Sequence, residues 1–190
     1  MANTPPIDRS GTEDAPRIVV LTGFMGSGKT TTGRALAGLL RWEFIDLDEW
    51  IERQEQTSIR DLFQRFGEAG FRVIEHRALE SVLAECSRPT VLALGGGTFA
   101  QASNDAVLRR AGLRSVFLEV SVEEMMQRCD GGENTQDTRP LASDPVRFRE
   151  LYEQRLEWYR RAEYSVGAER RTPEELARDI AEKLKLVSSD

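Results

Sequence analysis

Residues 23–31 read GFMGSGKTT, and they follow the apolar run RIVVLT directly. The stretch fits G-x-x-x-x-G-K-[ST], a spacing with a physical purpose. Glycines at 23, 26 and 28 let the backbone turn tightly and aim consecutive N–H groups at a polyphosphate, and a helix beginning near Lys29 adds its dipole at the same point. In that arrangement Gly26, Ser27, Gly28, Lys29, Thr30 and Thr31 cradle a nucleotide. Lys29 reaches the β- and γ-phosphates, and the Thr30 hydroxyl ligates magnesium. A glycine-rich turn with a solvated lysine is the plainer reading, but the position between a buried strand and a helix favours the cradle.

A phosphoryl donor needs an acceptor, and FIDLDEW, residues 44–50, supplies two carboxylates. If the segment is extended, Asp46 and Asp48 point the same way at the carboxyl end of a strand, where open α/β sheets bind ligands. One would then serve the magnesium shell while the other holds or deprotonates an attacking hydroxyl. The same letters also fit an acidic helix start with Asp48 as the N-cap. In GEAGFRVIEHR, residues 67–77, Arg72 and Glu75 are three apart on one helix face, so the glutamate can orient the arginine for a bidentate grip on a carboxylate. Exposed pairs of this kind more often contribute little. LALGGGTF, residues 92–99, ends an apolar run in Gly95, Gly96 and Gly97. Three glycines at a strand end imply a close visitor to the backbone, expected to be substrate or the γ-phosphate with its magnesium waters. His76, the single histidine, is expected to be a partly exposed spacer, and no second histidine exists for a triad.

The elements that must position these residues alternate in type. Runs at 17–22, 43–47, 90–94, 115–120 and 164–166 read as five strands, the first, third and fourth apolar enough to be buried on both faces. Amphipathic stretches separate them. Ile59, Leu62, Phe63 and Phe66 follow Ser58, which with Asp61 makes a possible capping box, and Thr172, Pro173 and Glu175 open a closing helix. Strands separated by helices require right-handed crossovers and a mainly parallel sheet covered on both faces. The chain has 190 residues, 39% of them hydrophobic, enough for one core in one domain. A formal charge of −6 argues against nucleic acid or an anionic membrane as partner. Cys86 and Cys129 are far apart, which suits neither a disulfide framework nor a zinc site. With no apolar h-region at the start and no stretch long enough to span a bilayer, a cytoplasmic protein is expected. Residues 1–16 read as a disordered tail, 17–187 as a single domain, and 188–190 as a C-terminal tail. The polar, glycine-bearing segment 129–145 reads as a mobile loop over the site, or else a long surface loop.

Taken in order, GFMGSGKTTTG, FIDLDEWIE, FxxxGExxFRxxE, LGGG, TRPL and RLEWY resemble the shikimate kinase family from about Arg17 to Leu186. The resemblance implies a three-layer α/β/α P-loop kinase fold: a five-stranded parallel sheet of order 2-3-1-4-5, helices on both faces and a mobile lid at about 129–145. It implies transfer of the γ-phosphate of ATP, with Mg2+, to the 3-hydroxyl of shikimate on the route to chorismate and aromatic amino acids. Lys29 and Thr30 match the family's nucleotide and magnesium residues, Asp46 the aspartate near the magnesium waters, and Asp48 the one that binds the reacting hydroxyl. Arg72 and Arg155 match the two arginines that hold the substrate carboxylate, with Glu75 orienting the first, and Gly95, Gly96 and Gly97 line substrate and γ-phosphate. Arg139 matches a lid arginine that reaches the phosphates, and Arg128 an arginine beside the adenine. Without the family pattern Arg155 is one charge among several on an arginine-rich helix with Arg147, Arg149, Arg160 and Arg161.

The chain departs from the family pattern at three places. Thr98 stands where many members have a small residue, and RLEWY lacks a proline common in that segment; neither is expected to touch a named contact. GGENTQDT ahead of Arg139 lengthens the lid. The expected protein is a monomeric small-molecule kinase acting on shikimate and ATP. The alternatives are another P-loop kinase, of the gluconate or nucleoside monophosphate type, and a non-catalytic nucleotide-binding relative. D-x-D, GGG and F-R-x-x-E speak against the first, and the presence of Lys29, Asp46 and Asp48 against the second.

Overall fold

The computed structural model describes residues 18–130 and 144–186, so the expected tails, Arg139 and most of the expected lid lie outside the described residues. Within them, five strands form one parallel sheet: β1 (Ile18–Thr22), β2 (Glu43–Asp46), β3 (Thr90–Ala93), β4 (Arg114–Glu119) and β5 (Tyr164–Gly167), in the order β2-β3-β1-β4-β5. The sequence explains which strand sits where. IVVLT of β1 is buried at every position and so is TVLA of β3, as central strands covered on both faces must be. EFID of β2 and YSVG of β5 keep exposed positions and occupy the two edges.

Helix α1 (Lys29–Leu40) carries the chain from β1 over β3 to β2, and the return through α2 (Leu47–Glu55) and α3 (Ile59–Glu85) to β3 runs the opposite way across the sheet. Right-handed crossovers therefore put α1 on one face and α2 with α3 on the other. Helices α4 (Ala102–Arg110), α5 (Val122–Asp130) and α6 (Pro145–Tyr159) continue in the direction of the return. The closing helix α7 (Pro173–Lys183) packs against α1 and completes the first layer. Its start is fixed as the sequence implied: the Thr172 hydroxyl accepts from Glu175 N–H while the Glu175 carboxylate accepts from Thr172 N–H.

Two sequence expectations are corrected. Ser58 caps α3, but its hydroxyl donates to the Asp61 carboxylate at 2.7 Å, and among the described residues no reciprocal backbone bond completes a box. Phe66 is not part of the core although Leu62 is; it is 46% exposed, one residue before Gly67, whose φ of 67° and ψ of −179° break α3. Cys86 and Cys129 are both unbridged. Among the described residues no helix is long and apolar enough to cross a membrane.

The sheet delivers four loops to one edge: the glycine-rich stretch after β1, the aspartates after β2, the glycines after β3 and the start of α5 after β4. Ligands of open α/β sheets bind at this carboxyl edge.

Candidate active site

Directly after β1, the chain wraps residues 23–28 and enters α1 through Gly28, whose φ of 90° is left-handed and needs a glycine. Lys29 lies in the first turn and donates from Nζ to the Phe24 carbonyl at 2.9 Å, so its ammonium is folded back over the loop it serves. Ser27 is fully buried, and its hydroxyl has no partner among the described residues. Thr31 turns its hydroxyl back onto the Gly28 carbonyl.

The D-x-D segment is neither of the two arrangements expected from sequence. β2 ends at Asp46, and it is Asp46, not Asp48, that caps the next helix: its Oδ1 accepts from the N–H of Asp48 at 3.0 Å and of Glu49 at 3.4 Å. Its other oxygen accepts from the Thr30 hydroxyl at 2.7 Å. Asp48 therefore stands in the first turn of α2 rather than on a strand, yet it still faces the cleft. Burial, then the like charges of Asp46 and Glu75, push its carboxyl up from 3.8 to about 7, with Lys29 pulling the other way. Its edge is half-buried, opening on the cleft.

Across from Asp48, Arg72 and Glu75 form the expected pair, and it is no surface contact. Arg72 Nη1 donates to Glu75 Oε2 at 2.8 Å, with side chains 15% and 1% exposed. Arg72 Nη2 reaches Glu68 Oε1 at 3.2 Å. Burial works against the guanidinium, but the charge and hydrogen bond of Glu75, followed by those of Glu68, more than offset it and hold its pKa above the usual value. The plane also rests near Phe71 and Phe63, two rings stacked 4.2 Å apart. Its Nε is buried with no partner among the described residues.

Two of the three glycines after β3, Gly95 and Gly97, are crowded by the protein itself. A methyl built on Gly95 would lie 2.6 Å from Asp48 Oδ1 and 2.9 Å from Thr98 Oγ1, and one on Gly97 would lie 2.5 Å from Arg72 Nη2. A methyl on Gly96 would meet Met25 N at 3.4 Å, an ordinary van der Waals contact with the phosphate loop. The visitor expected to be substrate is thus, first, the chain's own functional side chains and phosphate loop.

Arg155, on α6, reaches the same loop: Nη1 donates to the Gly96 carbonyl at 3.2 Å, and the guanidinium lies over the Phe24 ring at 5.7 Å. One helical turn on, buried Tyr159 donates its hydroxyl to the same carbonyl, and burial pushes its phenol up. Arg128 sits on the other side of the phosphate loop, donating to the carbonyls of Gly26 at 3.3 Å and Ala168 at 3.1 Å and pairing with Glu124.

Sequence reasoning missed Tyr159, Thr98 and Asn104. Tyr159 could have been found from its i+4 spacing to Arg155. Thr98, expected to touch no named contact, donates its hydroxyl to Glu75 Oε1 at 2.6 Å, which corrects that reading. His76 is not a mere spacer: its Nδ1 shares a 2.6 Å hydrogen bond with Asn104 Oδ1. Among the described residues, the functional groups line one cleft of about 1790 Å³, running from Arg128 past the phosphate loop to Arg72 and Arg155. That exceeds the roughly 300–1,000 Å³ of a single small-ligand pocket and suits two ligands side by side.

The family model for shikimate kinase matches residues 25–185, which takes in most of the phosphate loop, both aspartates, the glycines and α6. The chain belongs to the shikimate kinase family. A shikimate kinase of Sulfurihydrogenibium sp. (strain YO3AOP1) is 35% identical over 168 residues, covering 88% of this chain and 97% of that relative. One from Thermus thermophilus is 39% identical over 167 residues, covering 87% and 89%. The solved structure of the Acinetobacter baumannii shikimate kinase in complex with shikimate superposes with a TM-score of 0.81 at 32% identity, covering 90% of this chain and 94% of that one. As a shikimate kinase family member, the chain is an ATP-dependent phosphotransferase, and its sheet order is that expected of the fold.

Proposed function

We propose that this protein transfers the γ-phosphate of ATP to the 3-hydroxyl of shikimate, with magnesium, in the route to chorismate and aromatic amino acids. The observation that carries the reading is that two arginines, Arg72 and Arg155, lie against the glycines after β3, and the carboxyl of Asp48 lines the same cleft beside Gly95. That arrangement asks for a small acceptor that is anionic at one end and bears a hydroxyl at the other.

Arg72 lines the cleft with its side chain 15% exposed, so a substrate carboxylate can meet the part of the guanidinium that faces the cleft. Arg155, whose Nη1 is held by a neutral carbonyl, can turn to the same anion. With the carboxylate held, the reacting hydroxyl lies toward Asp48. A carboxyl whose pKa is lifted to about 7 is matched to accepting a hydroxyl proton near neutral pH, as attack on the γ-phosphorus proceeds. The amides of residues 26–31 and Lys29 neutralise phosphate charge, Lys29 exchanging the Phe24 carbonyl for phosphate oxygen.

For magnesium, the fit rests on Thr30 and Asp46. Their oxygens are 2.7 Å apart at the cleft floor, and no group of three or more His, Cys, Asp or Glu among the described residues forms a cage without phosphate. One hydroxyl and one carboxylate, with waters and phosphate oxygens, would suit Mg2+; held by Thr30 and Asp46, it would supply positive charge against the transferring phosphoryl group. Arg128, which donates to the Gly26 and Ala168 carbonyls, is assigned the adenine by its match to the family pattern. Arg139, outside the described residues, is assigned the phosphates by its motif alone. A coupled ADP-release assay with Mg-ATP and shikimate, quinate, gluconate and nucleoside monophosphates tests the reading. Turnover on shikimate far above the rest is expected; equal turnover on gluconate, or none on shikimate, overturns it.

A further inference from the structure

Glu75 is 1% exposed, and each of its oxygens has its own donor. Oε2 takes Arg72 Nη1 at 2.8 Å, and Oε1 takes the hydroxyl of Thr98 at 2.6 Å. A valine or alanine in place of Thr98 would deprive Oε1 of that donor, beside the like-charged Asp48, in a place from which water is excluded.

The hydroxyl is also aimed by its own anchors. Thr98 is fully buried, its N–H donates to the Gly95 carbonyl at 3.1 Å, and its carbonyl accepts from Asn104 Nδ2 at 3.0 Å. Asn104, itself buried, shares its Oδ1 with His76 Nδ1 at 2.6 Å. The glycines after β3 are thereby tied through Thr98 to α3, which carries both Glu75 and Arg72. We propose that Thr98 is a positioning residue for the acceptor's carboxylate: through Glu75 it fixes the plane and height of the Arg72 guanidinium over Gly97, at the cleft. The inference rests on the reading of Arg72 as the substrate-carboxylate arginine.

The arrangement predicts a dependence on the hydroxyl and not on the volume of the side chain. Losing one hydrogen bond to a buried charged group is worth about ten- to a hundredfold when felt in full, and transmission through Glu75 puts the expected change at the lower end.

The test compares Thr98→Ser, which keeps the hydroxyl, with Thr98→Val and Thr98→Ala, which lack it at two different volumes. With Mg-ATP saturating, Thr98→Ser is expected within about twofold of the parent. Both hydroxyl-less variants are expected to raise the KM for shikimate by about tenfold, with the KM for ATP within about twofold and kcat changed less than KM. In the protein without substrate, the Arg72 Nε–Hε signal is expected to exchange faster with solvent in Thr98→Val and Thr98→Ala than in the parent and Thr98→Ser. Hydroxyl-less variants with the parent's KM and exchange rate would overturn the inference. So would a Thr98→Ser variant as impaired as Thr98→Val, or equal losses toward ATP and shikimate. If the parent itself failed on shikimate, the functional reading would fall, while the exchange comparison would still decide whether Thr98 holds Arg72.

Discussion

Asp48 should make the protein less stable as the pH rises, and Asp48→Asn should remove this loss while destroying activity. In the folded chain its carboxyl titrates at about 7, against 3.8 ordinarily. The folded state therefore holds the proton more tightly than the unfolded one. Below pH 3.8 the carboxyl is neutral in both states and no stability is lost; between 3.8 and about 7 the loss accumulates, and above 7 it is complete. At 1.36 kcal/mol per pKa unit the full shift corresponds to roughly 4 kcal/mol. The carboxyl's edge opens on the cleft, where water relaxes the charge, so about 2 kcal/mol is the working figure. For a chain of this size that is a difference in Tm of roughly 4–8 °C. Thermal melts of parent and Asp48→Asn, both metal-free, at pH 4 and pH 8 measure it. The variant should be the more stable at pH 8, and most of its advantage should vanish at pH 4. A Tm difference that is the same at both pH values, or a variant less stable at pH 8, would refute the reasoning. Activity supplies the other half: kcat should collapse in Asp48→Asn with nucleotide affinity retained, since an amide cannot take the hydroxyl proton.

Other substitutions separate the roles around the cleft. Arg72→Ala and Arg155→Ala should each weaken shikimate by about 2–5 kcal/mol while leaving ATP affinity near the parent's, with lysine a poor rescue because it lacks the planar fork; titration with each ligand checks this. Gly95→Ala should lower both Tm and kcat, because its methyl would sit 2.6 Å from Asp48 Oδ1; melts and turnover measure the two losses. Thr30→Val should raise the magnesium concentration needed for half-maximal turnover by about tenfold or more, as it removes an oxygen next to Asp46; a magnesium titration at fixed ATP reads it.

The phosphate loop, the five strands and the closing helix were legible because each depends on local grammar: glycine spacing, apolar runs, and the Thr172–Glu175 cap. The aspartates were legible as residues but not as geometry. A strand end and a helix start share the same letters in FIDLDEW, and only the backbone decides that Asp46 is the cap and Asp48 the carboxyl presented to the cleft from the first turn. Arg72 and Glu75 are neighbours by helical spacing, but their burial comes from packing under residues 95–98, which no local pattern records. Thr98 lies 23 residues from its partner Glu75, and Arg155 lies 59 from its partner Gly96, so neither contact leaves a mark in the adjoining sequence. The glycine triplet announced a close approach but not by what; the answer needed three other elements in place.

The central claim is that the cleft holds an anionic acceptor with its 3-hydroxyl at Asp48 and passes it the γ-phosphate. The most direct measurement is phosphorus–proton correlation NMR on the product formed from shikimate and Mg-ATP by the purified protein. The account predicts one phosphate ester, on the 3-hydroxyl, in step with ADP. An ester on another hydroxyl, or ADP released with inorganic phosphate and no ester, would contradict it.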